Sequence, residues 1–537
     1  MRIALLSNVN LESLASRLLP GHDAHLPDGY DVWAQELLDA DSQFYKFMPE
    51  DCFIIIGEKG NFDGKTAEIV IVKAARSLPG CNFHVSTFVA APVPILPLKK
   101  SLTADEGRLD WRRRLSGMVS ENRNIYPLDL SLFSEKYGSE KFYSPKMWYL
   151  SGTPFSAFGE KILSSVIENI VRAGRSARKK CLILDLDNTL WGGAIGEDGA
   201  DGIELDTYGE GARYRDFQKG ILAIKNTGVL LAIASKNNIE DAETAFRHPH
   251  MLLKPEDFAV KKINWRRKSE NIAEIAKELN IGVDSFVFVD DNPAERAEVR
   301  SLLPDAAVPE FPQDTCRLEE FAGDLFADYF YLLDLSAEDE NRHRMYTENI
   351  AREDRKSGFE YLSDYLGDLN IRLKMERMTE ATLQRAHRMA QKINQFNLTT
   401  IRYSDTDLRE MMVNPDYLVL IGQVSDRFGD NGYCVLMVCR IVDDKTAEIE
   451  SLLMSCRVMG RTVEQAALLY LEDALRTKGI EVVRSSCLFT PKNAPAREFY
   501  DSMGYTLTDE DKGGNKYYTQ DILYKREEEV NCSVILV

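Results

Sequence analysis

The sequence predicts an α/β protein of three domains, in which a central doubly wound parallel sheet is flanked by a second α/β domain and by an α+β domain. Three observations carry this reading. Between Lys179 and Pro312, short apolar runs (CLILDLD, VLLAIAS, FVFVDD) alternate with amphipathic stretches (YRDFQKGILAIKNTG, SENIAEIAKELN). Near-continuous apolar strands alternating with one-faced helices build parallel sheets covered on both sides. The same alternation fills Met1 to about Glu160, whereas from near Asn370 strands follow one another directly and a long helix comes after them. Finally, 537 residues exceed what one hydrophobic core holds.

Taken in order, RIALLS, CFIIIGE and HVSTFVAA read as strands of the first block, with YDVWAQELLDA and TAEIVIVKAARSLPG as its helices. The basic, small-residue segment VRAGRSARKK then precedes a new strand at Cys181 and marks a junction. In the central block Ile272, Ile275, Ala276 and Leu279 fall at i, i+3, i+4 and i+7, one apolar face to lay on a sheet. The charged stretch AEDENRHRMYTENIAREDRKSG reads as a solvated helical linker. Beyond it LVLIGQVS, YCVLMVCRIV and TAEIESLLMS are strands, followed by the helix GRTVEQAALLYLEDALRTKG, another strand and a short helix. The expected domains are residues 1–175, 178–315 and 367–527, with a linker at 316–366 and a tail at 528–537.

Composition narrows the function. Hydrophobic residues at 44% and charged residues at 28% suit a chain that buries a core, not a disordered one. A net charge of −19 repels phosphate backbones and anionic membranes, so neither nucleic acid nor membrane is an expected partner. An anionic metabolite must then be held by a bound cation or a local cluster of basic groups. The 9 cysteines form no CxxC pair, and Cys434 and Cys439 read as buried positions of one strand, so neither a disulfide framework nor a zinc site is expected. The start, MRIALLSNVNLESL, reads as strand and helix, no long charge-free apolar stretch occurs, and the expected location is cytoplasmic.

The chemistry concentrates in the central block. Asp185 and Asp187 stand two residues apart where an apolar strand runs out, at the end of a doubly wound sheet where ligands bind. Phosphoryl transfer through a carboxylate needs such a pair. One group attacks phosphorus, and the other protonates the leaving oxygen and then deprotonates water. Two carboxylates beside a phosphate repel each other, which calls for a divalent cation, and oxygen ligands favour Mg²⁺. Ser235 ends VLLAIAS, where its hydroxyl and the following N–H groups can hold phosphate oxygens. Lys268 stands before the amphipathic helix, placed to neutralise a phosphoryl group, with Lys261 and Lys262 as competitors for that role. Asp290 and Asp291 end FVFVDD and supply further metal oxygens.

This order resembles the four motifs of the haloacid dehalogenase superfamily: DLDNT, Ser235, Lys268 and the Asp290-Asp291 pair. The resemblance implies that Asp185 is nucleophile and metal ligand and that Asp187 is the acid/base, lending its backbone carbonyl to Mg²⁺. It further implies that Lys268 is catalytic, that Asp290 and Asp291 complete the metal site, and that Thr189, Ser235, Lys236 and Asn237 bind substrate. Little sequence separates Thr189 from the second motif, so no cap domain is expected and the cleft should be open. Trp191 to Gly199, SKNN, FVDDNPAER and QKINQFNLTTIRY together look like the FkbH-like family, capless members of that superfamily. That likeness implies removal of phosphate from 1,3-bisphosphoglycerate and passage of the glyceryl unit, through an enzyme thioester, to an acyl carrier protein. For the thioester Cys456 is the attractive position, against the reading of a small buried side chain, because Cys181 begins a buried strand.

The flanking blocks carry weaker resemblances. The C-terminal block resembles the GNAT-type acyltransferase fold, with Arg457, Gly460 and Arg461 in a loop that would bind coenzyme A or phosphopantetheine, and Asn493 and Tyr500 on the distal helix. Thr462 stands where that family has Gly or Ala. The N-terminal block is similar to an SGNH-hydrolase fold with Ser7 after its first strand. SGTPFSAFGEKIL contains no His to serve as base, so this domain is expected to be a non-catalytic scaffold or docking module.

Overall fold

The computed structural model describes residues 1–29, 31–57, 62–89, 106–174, 178–335, 339, 344–346, 348, 352, 355, 358–359, 361–526 and 530–536. The chain divides into two units, Met1–Arg172 and Ala173–Val537.

In the first unit β1 (Arg2–Ser7), β2 (Asp23–His25), β3 (Asp51–Ile55), β4 (Asn82–Ser86) and β5 (Ile125–Leu128) form one parallel sheet, ordered β2-β1-β3-β4-β5. β3 is buried along its whole length and so needs cover on both faces. The helix Gly64–Ser77 covers one face with Ala67, Val70, Ile71 and Ala74. Ser7 donates from Oγ to the Ile55 carbonyl at 2.6 Å and accepts from the Val9 N–H at 2.9 Å, so its hydroxyl is engaged by the turn it sits in.

The second unit begins with β6 (Cys181–Leu184), β7 (Leu230–Ser235), β8 (Phe258–Ile263) and β9 (Phe286–Val289), all parallel in the order β8-β7-β6-β9. Successive residues of β6 face opposite ways. Leu182 and Leu184 join one core with Phe217, Ile221 and Ile224 of the helix Gly209–Asn226. Cys181 and Ile183 join another with Ile272, Ile275 and Leu279, the face that the helical spacing predicts. The doubly wound reading is therefore borne out. The chain winds from β6 to β7 and β8, then returns to the far side of β6 as β9, and this reversal opens a crevice at the carboxyl ends of β6 and β9.

Two segments differ from expectation. The helix Leu318–Leu325, expected in the linker, belongs to the central core: Leu318, Ala322 and Leu325 pack with Phe217 and Ile221. The approach is so close that a Cβ added at Gly220 would collide with Ala322. Much of the charged stretch after it lies outside the described residues.

The last domain holds β10 (Ile371–Arg377), β11 (Phe396–Asn397), β12 (Tyr417–Asp426), β13 (Gly429–Ile441), β14 (Thr446–Met454), β15 (Val482–Cys487), β16 (Thr506–Glu510), β17 (Lys516–Asp521) and β18 (Cys532–Leu536). Antiparallel pairs dominate, as the order of strands predicts, but β14 pairs with β15 in parallel. The other difference is β18, which pairs in parallel with β10 where a tail is expected.

Candidate active site

Register places the central residues. Leu184 of β6 pairs with Ile233 of β7 and Val289 of β9, so Asp185, Ser235 and Asp290 emerge together at the carboxyl ends of three adjacent strands. The Asp185 N–H still donates to the Val289 carbonyl at 3.0 Å, which fixes the start of the turn. Three residues on, Asn188 adopts φ 53°, a left-handed conformation that Asn tolerates better than most residues. Its Oδ1 accepts from the Gly193 N–H at 2.9 Å and locks the loop that follows.

Asp185, Asp290 and Asp291 bring side-chain oxygens within 4.8 Å of one another. Lys268, the first residue of the helix Lys268–Leu279 and only 3% exposed, reaches into this group. Its Nζ lies 3.0 Å from Asp185 Oδ1 and donates to Asp290 Oδ2. Burial alone would lower the Lys268 pKa, but the charges of Asp185 and Asp290 outweigh it and hold the group above the usual lysine value. Burial and the neighbouring Asp185 charge push the carboxyls of Asp290 and Asp291 up to about 6. Three carboxylates against one ammonium leave an excess of buried negative charge that a hard divalent cation would offset. The donor set, all oxygen, fits Mg²⁺. Among the described residues Asp185 Oδ1 has no aligned hydrogen bond and the fully buried Thr189 hydroxyl has no partner, so acceptor and donor capacity remain at the site.

Asp187 is held separately. Its Oδ1 accepts from Trp191 Nε1 at 2.9 Å and from the Ile195 N–H at 3.1 Å, while Oδ2 accepts from Asn237 Nδ2 at 2.9 Å. Asn237 thus serves by orienting Asp187. Lys236, expected to bind substrate, has its ammonium paired with Glu295 at 2.7 Å. Lys261 and Lys262 are turned to other partners, Lys261 donating to the Pro255 carbonyl and Lys262 pairing with Glu274 and Glu278.

Sequence reasoning gave no role to Arg296, which is buried and donates from Nη1 to the backbone carbonyls of Asp290 and Asp291 at 2.8 and 2.7 Å. It props the turn that presents both carboxylates. Trp191 likewise stands in a quoted motif without a role, and its contact to Asp187 appears only in three dimensions.

The residues expected around a pantetheine make contacts within the domain. Asn493 is fully buried, donating to the carbonyls of Asn397 and Leu488 at 2.9 Å each and accepting from the Thr490 N–H. Arg461 lies 3.4 Å from Asp426, and Arg457 Nε donates to Ser455 Oγ at 3.1 Å. Gly460 and Thr462 both have positive φ, 71° and 60°. Register pairing of β14 with β15 ends at Ile449 and Ser485, and Leu398 then bridges the two sides through the Leu452 carbonyl and the Leu488 N–H. Tyr500 is buried among Phe499, Tyr505 and Tyr518, and burial raises its pKa. The side chain of Cys456 lies outside the described residues.

No protein-family model and no curated protein matches the chain. Among solved structures it is similar to the ribosomal-protein-S18-alanine N-acetyltransferase from Escherichia coli, at 15% identity and a TM-score of 0.23 over 29% of this chain and 98% of that one. It is also similar to the PaiA N-acetyltransferase from Thermoplasma acidophilum in complex with coenzyme A, at 18% identity and a TM-score of 0.24 over 28% of this chain and 98% of that one. A broader likeness is to the N-terminal part of the protein BF1531 from Bacteroides fragilis, containing a phosphatase domain complexed with Mg. Identity there is 29% and the TM-score 0.56, covering 62% of this chain and 94% of that one. Over 62% of its length the chain shares the fold of that magnesium-bound structure.

Proposed function

We propose that the chain is a Mg²⁺-dependent phosphatase of the haloacid-dehalogenase type. Its substrate in this reading is a phosphorylated three-carbon donor such as 1,3-bisphosphoglycerate, and the acyl group passes to an acyl carrier protein. One observation carries the phosphatase reading: Asp185, Asp290 and Asp291 converge around the buried Lys268 ammonium at the crevice of a doubly wound sheet. Asp185 attacks the phosphorus of the donor's phosphate ester, the bond to the ester oxygen breaks, and that oxygen keeps the electron pair and takes a proton from Asp187; the acyl phosphate stays intact until a thiol attacks its acyl carbon and phosphate leaves with the electron pair of the broken C–O bond. Asp187 then removes a proton from water, whose oxygen attacks the phosphorus now on Asp185, releasing phosphate and restoring the carboxylate. Lys268 offsets the phosphoryl charge, and Trp191 and Asn237 keep Asp187 aimed. Bound Mg²⁺, held by Asp185, Asp290 and Asp291, would supply the remaining charge neutralisation.

The acyl-transfer part rests on the FkbH-like resemblance and is supported by an uncapped cleft. The regular elements between Thr189 and β7 are the helices Ile195–Asp198 and Gly209–Asn226. A phosphatase of a small metabolite with inert flanks is the second reading, favoured by the internal engagement of Asn493 and Arg461.

Full-length protein incubated with 1,3-bisphosphoglycerate and holo-carrier protein should release phosphate only when Mg²⁺ is present, and intact mass should show the acyl group on the carrier. Asp291→Ala should raise the Mg²⁺ needed for half-maximal rate by roughly tenfold or more, since even outer partners of metal ligands matter on that scale. Phosphate release that persists in a chelator would contradict the metal dependence, and release without acylated carrier would leave the second reading.

A further inference from the structure

The loop between β8 and the helix Lys268–Leu279 carries Trp265, whose large aromatic side chain is left 70% exposed. A single exposed apolar residue is ordinary, but this ring is tied in place. Its Nε1 donates to Asn238 Oδ1 at 3.1 Å. The loop that carries it is braced on two sides. The Asn264 N–H donates to the Ser235 carbonyl at 3.0 Å, and the side-chain amides of Asn264 and Asn271 donate to each other at 3.2 and 3.0 Å. Asn271 is fully buried on the helix, so this pair anchors the loop to the packed part of the domain. Asn264 Oδ1 also accepts from the Arg266 N–H at 3.0 Å, which closes the turn around Trp265. Among the described residues no ring or cation lies on a face of the indole. The side chain has thus lost rotamer freedom without gaining burial, and its faces stay open for contact.

Each of these braces leads to the reacting centre. Ser235, whose carbonyl holds the loop, emerges with Asp185 at the carboxyl ends of adjacent strands. Three residues after Trp265 comes Lys268, whose ammonium lies between Asp185 and Asp290. Asn237 donates to Asp187 at 2.9 Å, and the next residue, Asn238, holds the ring. If Asp187 gives its proton to the leaving oxygen, the group carried by that oxygen lies beside Asp187. Its carbon skeleton, leading from phosphorus to solvent through an uncapped cleft, then passes over Trp265. Indole faces take flat or apolar bodies in offset-stacked or edge contact.

We propose that Trp265 is the platform on which the carbon skeleton of the phosphate ester lies, a specificity-determining residue that favours leaving groups with a flat or apolar face. Asn238 is a positioning residue that holds the ring in its working orientation. The inference rests on the phosphatase reading of Asp185 and Asp187 and deepens it by naming what selects the ester.

Phosphate release by the full chain with Mg²⁺, from phenyl phosphate and from glycerol 3-phosphate, tests it. The parent should favour phenyl phosphate in kcat/KM. Trp265→Ala should raise KM for phenyl phosphate about fivefold to tenfold, the size of a lost aromatic contact, with a far smaller effect on kcat and on KM for glycerol 3-phosphate. Trp265→Phe, which keeps a flat ring, should recover most of the preference, and Asn238→Ala should fall between. The ring is exposed, so all three variants should melt close to the parent. A merely structural role would instead change both esters alike. An equal rise in KM for the two esters, no rise for either, or a parent that takes glycerol 3-phosphate at least as well overturns the platform and leaves the phosphatase reading intact. Release from neither ester by the parent overturns that reading and the platform with it.

Discussion

Asp185→Asn is expected to lower phosphate release by about a thousandfold or more while leaving the fold and melting temperature close to those of the parent. The reason lies in what the change removes and what it keeps. An amide has the shape of the carboxylate but not its charge, so the attack on phosphorus is lost. The backbone hydrogen bond from residue 185 to Val289 is untouched, and Lys268 retains Asp290 as partner. Phosphate release under saturating Mg²⁺, measured beside a thermal melt, checks both halves. Turnover near that of the parent would place the nucleophile elsewhere.

Lys268→Met should strike stability as well as rate. The ammonium is buried between Asp185 and Asp290, and removing one member of a buried charge group typically costs about 3–5 kcal/mol because the rest is left uncompensated. A loss of that size lowers a melting temperature by on the order of 10 °C in the metal-free protein. Added Mg²⁺ should restore part of the loss by lying among the carboxylates, yet the rate should stay low without an ammonium to meet the phosphoryl group. Acidification should help too, and the sign follows from the pKa values. Asp290 and Asp291, pushed up to about 6 in the fold, bind protons there more tightly than in the unfolded chain. Stability in the metal-free variant should therefore rise as pH falls from about 7 to about 5. A metal-free melt identical to that of the parent would mean that Lys268 does not compensate these charges.

Much of this site is legible in the sequence because each strand of the central sheet is apolar up to the residue where it ends. Asp185, Ser235 and Asp290 are conspicuous as the first polar groups after CLIL, LLAIA and FVFV. The helix Lys268–Leu279 is legible for a similar reason, its apolar residues keeping one face. β8 was less visible: Lys261 and Lys262 interrupt its apolar pattern, and as an edge strand it buries only part of itself. The residues of β18 read as a tail because five residues pairing with β10, more than 150 positions away, leave no local signal. Leu318–Leu325 read as linker because acidic residues surround its apolar stripe. Roles that depend on distant contacts were out of reach in the same way. Asn237 meets Asp187 across fifty residues, and Arg296 acts on carbonyls rather than on side chains. Asn493 looks like a ligand-binding amide in sequence, but burial turns it into a brace between backbone segments.

The phosphoryl group itself offers the most direct measurement. An aspartyl phosphate reduced with borohydride becomes homoserine, so the full chain mixed with donor and Mg²⁺, quenched during turnover, reduced and digested, carries the site of attack as a mass change in one peptide. The mechanism predicts that change at Asp185, in the peptide that also contains Asp187, and its absence without donor. Rapid phosphate release with Asp185 unmodified throughout, or with the change on another carboxylate, would contradict it.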